Sequence, residues 1–373
     1  MKNILITGGA GFIGFELTKR LISEGFTITI LDNLSKKIHP NRKKYDSLRD
    51  ITNFIIGDIT NRADWEEAIK SQDVIIHLAS ETGTGQSMYD IYNYTNINVA
   101  STALMLDVLT NTENNVKKII LSSSRAVYGE GKYKCPEHGF SYPDPRSIGD
   151  LGAKKNNFLC ELCKKELAPV ATDEDAMISP NSVYALTKYN QEQMLQLIGK
   201  SLDVNTVILR YQNVFGPGQS LSNPYTGILS IFSTRILNGN NIDIYEDGLA
   251  SRDFIYIDDV VEATTKALMD NQVRDQVFNV GTGQSLSVLS VAQQLRELYD
   301  SDIEINITNK VRLGDIRHNF ADISKINSVL NFSHKYTFKA GLEKFVEWVK
   351  NQDLQEDSYI ESLNELQEKG LFI

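Results

Sequence analysis

The sequence predicts an α/β protein: a doubly wound parallel sheet, a smaller C-terminal α/β domain, and a small metal-binding insertion. Three observations carry this. Short β-branched runs alternate with helical patterns through the first half of the chain. A glycine-rich turn joins the first run to the first helix. All three cysteines fall within one short stretch.

The runs Asn3 to Ile6, Thr27 to Leu31, Asn53 to Ile56, Val74 to Leu78, Lys118 to Ser122 and Asn205 to Leu209 read as strands. Phe12 to Glu24 has helical periodicity, and Gly25 is placed to end it. Right-handed crossovers between such units wind helices onto both faces of one sheet. This gives a first domain over residues 1–210, interrupted by an insertion over 131–175. Beyond Tyr211 the pattern loosens: helices Ile228 to Leu237 and Val288 to Tyr299 alternate with strands Ile242 to Tyr245 and Phe254 to Ile257. Residues 211–350 are therefore expected to form a substrate domain over the carboxyl ends of the strands, where open α/β sheets bind ligands. The polar tail, 351–373, reads as an exposed helix.

The 373 residues are 41% hydrophobic and 23% charged, ordinary globular values. The net charge is −10 with Lys and Arg scattered, which excludes a nucleic-acid or anionic-membrane surface while allowing a small phosphorylated ligand. Met1-Lys2-Asn3 leads directly into the first strand, with no signal-like or membrane-spanning run, and a reducing cytoplasm is expected.

Thr7-Gly8-Gly9-Ala10-Gly11-Phe12-Ile13-Gly14 follows the first strand and opens the first helix. Glycines let the backbone turn sharply and approach a pyrophosphate, while the helix start offers it free N–H groups. Asp32 ends the second strand, where a carboxylate accepts hydrogen bonds from the adenosine ribose and repels a 2′-phosphate. NAD is therefore expected, with Lys36 and Lys37 leaving NADP open. Asn33 continues this edge. Asp58, in Gly57-Asp58-Ile59, is placed to reach the adenine, although Gly-Asp is also turn chemistry.

Tyr184 and Lys188 lie one turn apart on a predicted helix, downstream of Ser122-Ser123-Ser124 at a strand end. A free phenol has a pKa near ~10, and moving it to about 7 requires roughly 4 kcal/mol of differential stabilisation. An ammonium and a nicotinamide cation beside it act in that direction. Taken alone, a tyrosine and lysine at this spacing are as readily structural.

With His77-Leu78-Ala79-Ser80, Val127-Tyr128-Gly129, Arg252-Asp253-Phe254-Ile255-Tyr256-Ile257-Asp258-Asp259 and Arg312-x-Gly314-Asp315-x-Arg317, these motifs resemble the extended short-chain dehydrogenases. Within them the chain is similar to the nucleotide-sugar 4-epimerase branch, up to about Lys350. The resemblance implies a Rossmann domain whose NAD touches Gly8, Gly11, Phe12, Ile13, Gly14, Asp32, Asn33, Asp58, Ile59, Leu78, Ala79 and Ser122. It implies Tyr184 as general base, Lys188 as its partner and ribose ligand, and Ser124 as the hydroxyl on the sugar oxygen. It further implies Asn213, Arg252 and Arg312 on the substrate diphosphate. A surface ion pair between Arg252 and Asp253 is the competing reading.

The 4,6-dehydratases carry Thr-Asp-Glu where this chain has Ser124-Arg125-Ala126, so their acid/base pair is missing. The segments Glu81 to Met88 and Gln219 to Gly227, together with the cysteine-bearing insertion, resemble the dTDP-L-rhamnose 4-epimerase subgroup. That resemblance places Thr82, Gln86, Ser87 and Gln219 at the sugar. UDP-glucose or another hexose stays open, as do a cofactor-releasing dehydrogenase or ketoreductase and an NAD-sensing scaffold. Relatives dimerise through two helices, here about Asn98 to Thr110 and Ser182 to Ile198.

The distance between Ser124 and Tyr184 marks the insertion. Cys135-Pro136-Glu137-His138 and Cys160-Glu161-Leu162-Cys163 form two pairs at zinc-ribbon spacing. Three sulfurs and an imidazole make a closed Cys₃His set, the mark of structural zinc. The insertion has few large apolar residues, so a metal would supply a core. Unconnected thiols beside a surface histidine are the alternative.

Overall fold

The computed structural model describes residues 1–36, 38–39, 43–147, 149–150, 156–225 and 227–372. Lys37, cited above, lies outside these, as do Thr226 of the Gln219 to Gly227 segment and part of the insertion. Seven strands form the main sheet: β1 (Asn3–Thr7), β2 (Thr27–Asp32), β3 (Asn53–Ile56), β4 (Val74–His77), β5 (Lys118–Ser124), β6 (Asn205–Tyr211) and β7 (Gln276–Val280). Their order is β7-β6-β5-β4-β1-β2-β3, and every pairing is parallel. The chain reverses its direction of winding between β1 and β4, so a crevice opens where their carboxyl ends part.

Alternation along β1 feeds two cores. Ile4 and Ile6 pack into the layer that holds Leu17 and Leu21 of helix α1 (Phe12–Ser23). Leu5 packs into the opposite layer with Trp65 and Met105. Such near-continuous apolar strands are what a sheet covered on both faces requires. Helix α1 ends where Gly25 turns left-handed at φ +86°, and Phe26 N–H bonds the Leu21 carbonyl.

The first-domain boundary at 210 needs correction. Strand β7 and helix α3 (Ile257–Met269) come from beyond it, yet β7 pairs with β6 and α3 packs on α1. Buried Lys118 of β5 ties them in, donating to the carbonyls of Ala267, Leu268 and Asp270 at 2.5–3.2 Å. The run Gln276–Val280 lies among short mixed elements, so its membership is set by what it pairs with.

The tail also differs from expectation. Helix α4 (Tyr359–Glu368) buries Tyr359, Leu363 and Leu366, packed with Phe372 against Tyr89 and Tyr245. Spacings of four and three from Tyr359 put these residues on one face, which the polar composition hides. No described helix is long and apolar enough to cross a membrane.

The insertion is a three-stranded antiparallel sheet of Gly139–Ser141, Tyr133–Cys135 and Ala168–Pro169. It has a small core of its own in Tyr133, Phe158 and Leu167, beside Cys135 and Cys160.

Candidate functional site

At the end of β1 the backbone turns through Gly8, at φ +69°. A Cβ there would lie 2.9 Å from Ala79 N, and one on Gly14 would lie 2.3 Å from the Gly8 carbonyl oxygen. Neither position has room for a side chain. Helix α1 starts at Gly11 with no side-chain cap, which leaves the N–H groups of its first turn, Phe12 and Ile13 included, for a ligand. Leu78 and Ala79 close the cradle from β4, their N–H groups bonded to the Thr7 carbonyl and hydroxyl at 3.2 Å. This cradle fits a dinucleotide pyrophosphate.

Asp32 stands at the edge of the cradle. Its carboxylate accepts Ala10 N–H at 3.0 Å and Leu34 N–H at 2.9 Å, with His39 Nε2 at 3.4 Å. Asn33 donates to Asp58 at 3.0 Å. Burial pushes the Asp58 carboxyl up, but bonds from Asn33 and Thr60 outweigh it and hold the group below its usual range. Ile59 packs its side chain into the core, so only its backbone faces this edge.

Tyr184 and Lys188 lie in the first turns of α2 (Val183–Leu202), capped by Ser182, whose hydroxyl accepts Ala185 N–H. The ring of Tyr94 stands edge-on to that of Tyr184, with centroids 6.5 Å apart. Burial raises the Tyr184 phenol, while a hydrogen bond with Ser124 and the charge of Arg125 pull it back. Lys188 donates to the Ser122 carbonyl at 3.0 Å, and burial draws its ammonium down to about 7 against the pull of Glu192.

Ser87 requires a correction. Its hydroxyl is wholly buried, accepts Tyr184 N–H at 3.0 Å and donates to the Thr84 carbonyl. It fixes the start of α2 instead of facing the cleft. Tyr94 donates to the Thr82 carbonyl at 2.6 Å and lies 3.4 Å from Gln86 Oε1. Gln219 lies against Gly227 with its side-chain oxygen buried and unbonded.

The arginines separate into two kinds. Arg312 places Nε and Nη2 on Asp315 Oδ1 at 3.0 and 2.9 Å. Among the described residues Arg252 donates to the carbonyls of Ser251 and Arg317. Its neighbour Asp253 is fully buried and bonded by Thr282, Gly283 and Ala321, so the Arg252–Asp253 ion pair is excluded. Arg125 is the residue that reading the sequence passed over, noting it only as the absence of a dehydratase acid. Its Nε donates to Asn213 Oδ1 at 2.8 Å, while Nη1 is buried without a partner. Burial and the nearby charge of Arg252 pull Arg125 down to about 9. A charged residue directly after a strand-end serine was the signal available.

Behind Arg252 a buried ionic network joins the insertion to the C-terminal half. Arg146 makes two bonds to Glu246 at 2.7 and 2.9 Å. Arg317 makes two to Asp247 at 2.6 and 2.7 Å, and Asn156 reaches Asp247 at 3.0 Å. In the insertion, the ligand atoms of Cys135, His138, Cys160 and Cys163 lie within 4.8 Å of one another.

A sequence profile of the NAD dependent epimerase/dehydratase family matches residues 4–148 and 163–281, breaking only within the insertion. The chain belongs to this family. It is 34% identical to the dTDP-L-rhamnose 4-epimerase of Burkholderia thailandensis over 94% of this chain and 96% of that one. Among solved structures it resembles the UDP-glucose 4-epimerase of Thermotoga maritima with UDP-glucose (TM-score 0.75, 27% identity, 93% and 98% covered). It also resembles the UDP-glucuronic acid 4-epimerase of Bacillus cereus with UDP-glucuronic acid and NAD (TM-score 0.76, 26% identity, 93% and 99% covered). The protein is an NAD-dependent epimerase by this membership, and the scaffold alternative falls away.

Proposed function

We propose that the protein inverts C4 of a nucleotide-diphosphate sugar through a transient 4-keto intermediate, with dTDP-L-rhamnose and its C4 epimer as the substrate pair. The observation that carries the reaction is Tyr184, half-buried and hydrogen-bonded to Ser124 at the carboxyl end of β5. Bound in that cradle, oxidised NAD supplies the hydride acceptor and a positive charge that favours the Tyr184 phenolate. Tyr184 takes the proton of the sugar 4-hydroxyl while Ser124 holds its oxygen, and returns it after the ring has turned. Tyr184 would return the proton it took, and inversion leaves the sugar at its starting oxidation state, so no outside reductant would be consumed. Lys188 holds the nicotinamide ribose, and Asp32 holds the adenosine ribose. Asn213, Arg252 and Arg312 receive the diphosphate. Arg125 and Arg252, which form no ion pair among the described residues, offer two positive charges to its two negative ones.

The choice of sugar is supported by the 34% relative and by the segments at 81–88 and 219–227. The test is to incubate protein purified without added cofactor against dTDP-L-rhamnose, UDP-glucose and UDP-glucuronic acid. Conversion of dTDP-L-rhamnose without reductant, by protein carrying NAD, is expected. A requirement for NADH would indicate a ketoreductase instead.

We further propose a structural zinc ion on Cys135, His138, Cys160 and Cys163. A tetrahedral zinc with sulfur at ~2.3 Å sets its ligands about 3.8 Å apart. Here Cys135 Sγ lies 3.5 Å from both Cys163 Sγ and His138 Nδ1. That sulfur spacing is far beyond a disulfide bond of about 2.05 Å. The homodimer through α2 and the helix Ser101–Asn111 is likewise proposed. Leu186 and Leu197, 49% and 69% exposed, lie eleven residues apart on one face of α2. Light scattering giving a monomer mass would refute it.

A further inference from the structure

The C-terminal tail touches both segments assigned above to the sugar, at Tyr225 and Tyr89, and one of the arginines assigned to the diphosphate, Arg312. Glu365 of α4 accepts a short hydrogen bond from the Tyr225 hydroxyl, and Tyr89 OH lies 3.1 Å from that of Tyr225. Tyr225 belongs to the 219–227 loop, and Tyr89 directly follows the 81–88 segment. The two segments also meet in front of this triad, where a Cβ on Gly83 would lie 3.4 Å from Tyr225. Further along, Leu371 accepts Leu313 N–H at 2.9 Å, and Phe372 forms an antiparallel bridge with Arg312. The Phe372 ring stands 5.0 Å from that of Tyr245, over which the Arg312 guanidinium lies at 6.0 Å. Arg312 in turn lies against Gly85.

From this geometry we infer that the tail is a specificity strap: Glu365, through Tyr225 and Tyr89, sets the spacing of the two pocket segments, and Leu371–Phe372 holds Arg312 in line with them. None of these tail residues touches the reacting atoms, so they are positioning residues. The inference rests on the substrate site proposed above. Its physical basis is that a hydrogen bond to a half-buried carboxylate is charge-assisted and directional, so one anion fixes two tyrosines on two separate segments. Burial and the neighbouring carboxylate both raise the Tyr225 phenol, which keeps it a donor. The tail itself is anchored elsewhere, by Asp357 on Arg235 at 3.2 Å and on Asn240 at 2.7 Å, so a change at Glu365 leaves its attachment in place.

The experiment uses full-length protein. Tyr225→Phe is expected to raise KM for the preferred nucleotide sugar about tenfold with kcat within about twofold, since the bond removed is charge-assisted and its loss is shared with water. The preference between dTDP-L-rhamnose and UDP-glucose narrows, while bound NAD and Tm stay unchanged. Glu365→Gln gives a smaller effect, and adding it to Tyr225→Phe gives little more, because both remove one interaction. An unchanged KM and preference, or equal losses in kcat and bound NAD, overturns the strap. Hydrogen exchange separates this from failure of the substrate reading. In Tyr225→Phe both 82–88 and 219–225 should lose protection even if no nucleotide sugar is turned over, and unchanged protection in both refutes the inference on its own.

Discussion

The cradle around Gly8 and the ground beneath Arg252 are built in opposite ways. In the cradle, polar groups find partners at shorter range along the chain: Ala10 N–H to Asp32, Asn33 to the Asp58 carboxylate and Ala79 N–H to Thr7, 22, 25 and 72 residues apart. Beneath Arg252, Arg146 meets Glu246 across 100 residues, Tyr225 meets Glu365 across 140, and Glu130 meets the backbone of Arg317 across 187. In the assignments proposed above, the first region receives the cofactor and the second the sugar diphosphate. Local construction suits a ligand that never changes, whereas long-range construction lets insertions and tails reshape the sugar end without disturbing the cofactor.

That division yields graded expectations. Tyr184→Phe, where both regions meet, should lower turnover roughly 10²–10⁴-fold with NAD retained. Near-normal interconversion at neutral pH would dismantle the mechanism. Arg252→Met and Arg125→Met should each raise KM for the nucleotide sugar roughly 10–100-fold without loss of NAD. An Arg125 variant that binds substrate normally would return this residue to a packing role. Asp32→Ala tests the cradle alone: NAD and NADP affinities should converge in cofactor-stripped protein, and KM for the sugar should stay put.

Cys160→Ser, or zinc removal by a chelator, should lower Tm by about 5 °C and raise the sugar KM with NAD content unchanged. Less than one equivalent of zinc in untagged protein, or an unaltered melting curve, contradicts the metal site. The smallest expected effect is at Asp247. Burial opposes its ionisation, but the Arg317 guanidinium and further hydrogen bonds hold its carboxyl down to about 2. A depressed carboxyl stabilises the fold above the ordinary carboxylate range, and that stability is lost as pH falls from about 4 to about 2. Asp247→Asn should therefore flatten the acid limb of the stability profile, and an unchanged limb would show that the Arg317–Asp247 pair adds no net stability.

The same contrast explains what was legible in the sequence. Six of the seven sheet strands follow from β-branched runs and turn residues, because their burial on both faces is written into consecutive positions. The glycine cradle and the Tyr184–Lys188 spacing are equally local. Strand β7, the buried face of α4 and the Arg146–Glu246–Arg317 network were not legible, since each depends on a partner that no spacing encodes. Ser87 shows a subtler limit. The sequence reading placed its segment at the sugar, whereas the direction its hydroxyl takes is decided by Tyr184 N–H needing an acceptor. Arg125 was in plain view and was weighed only for what it replaced.

The late arrival of β7 also bears on how the protein is made. Strand β6 ends at Tyr211, but the strand that covers its outer edge ends at Val280, roughly 70 residues later. At about 5–20 residues per second, a ribosome leaves that edge bare for roughly 3–14 s. For that interval a nearly complete parallel sheet presents unpaired N–H and C=O groups along an apolar strand, the kind of edge on which neighbouring nascent chains join. Yield in the cell should therefore depend on expression rate and on chaperones that shield this one edge, more than on the stability of the finished fold.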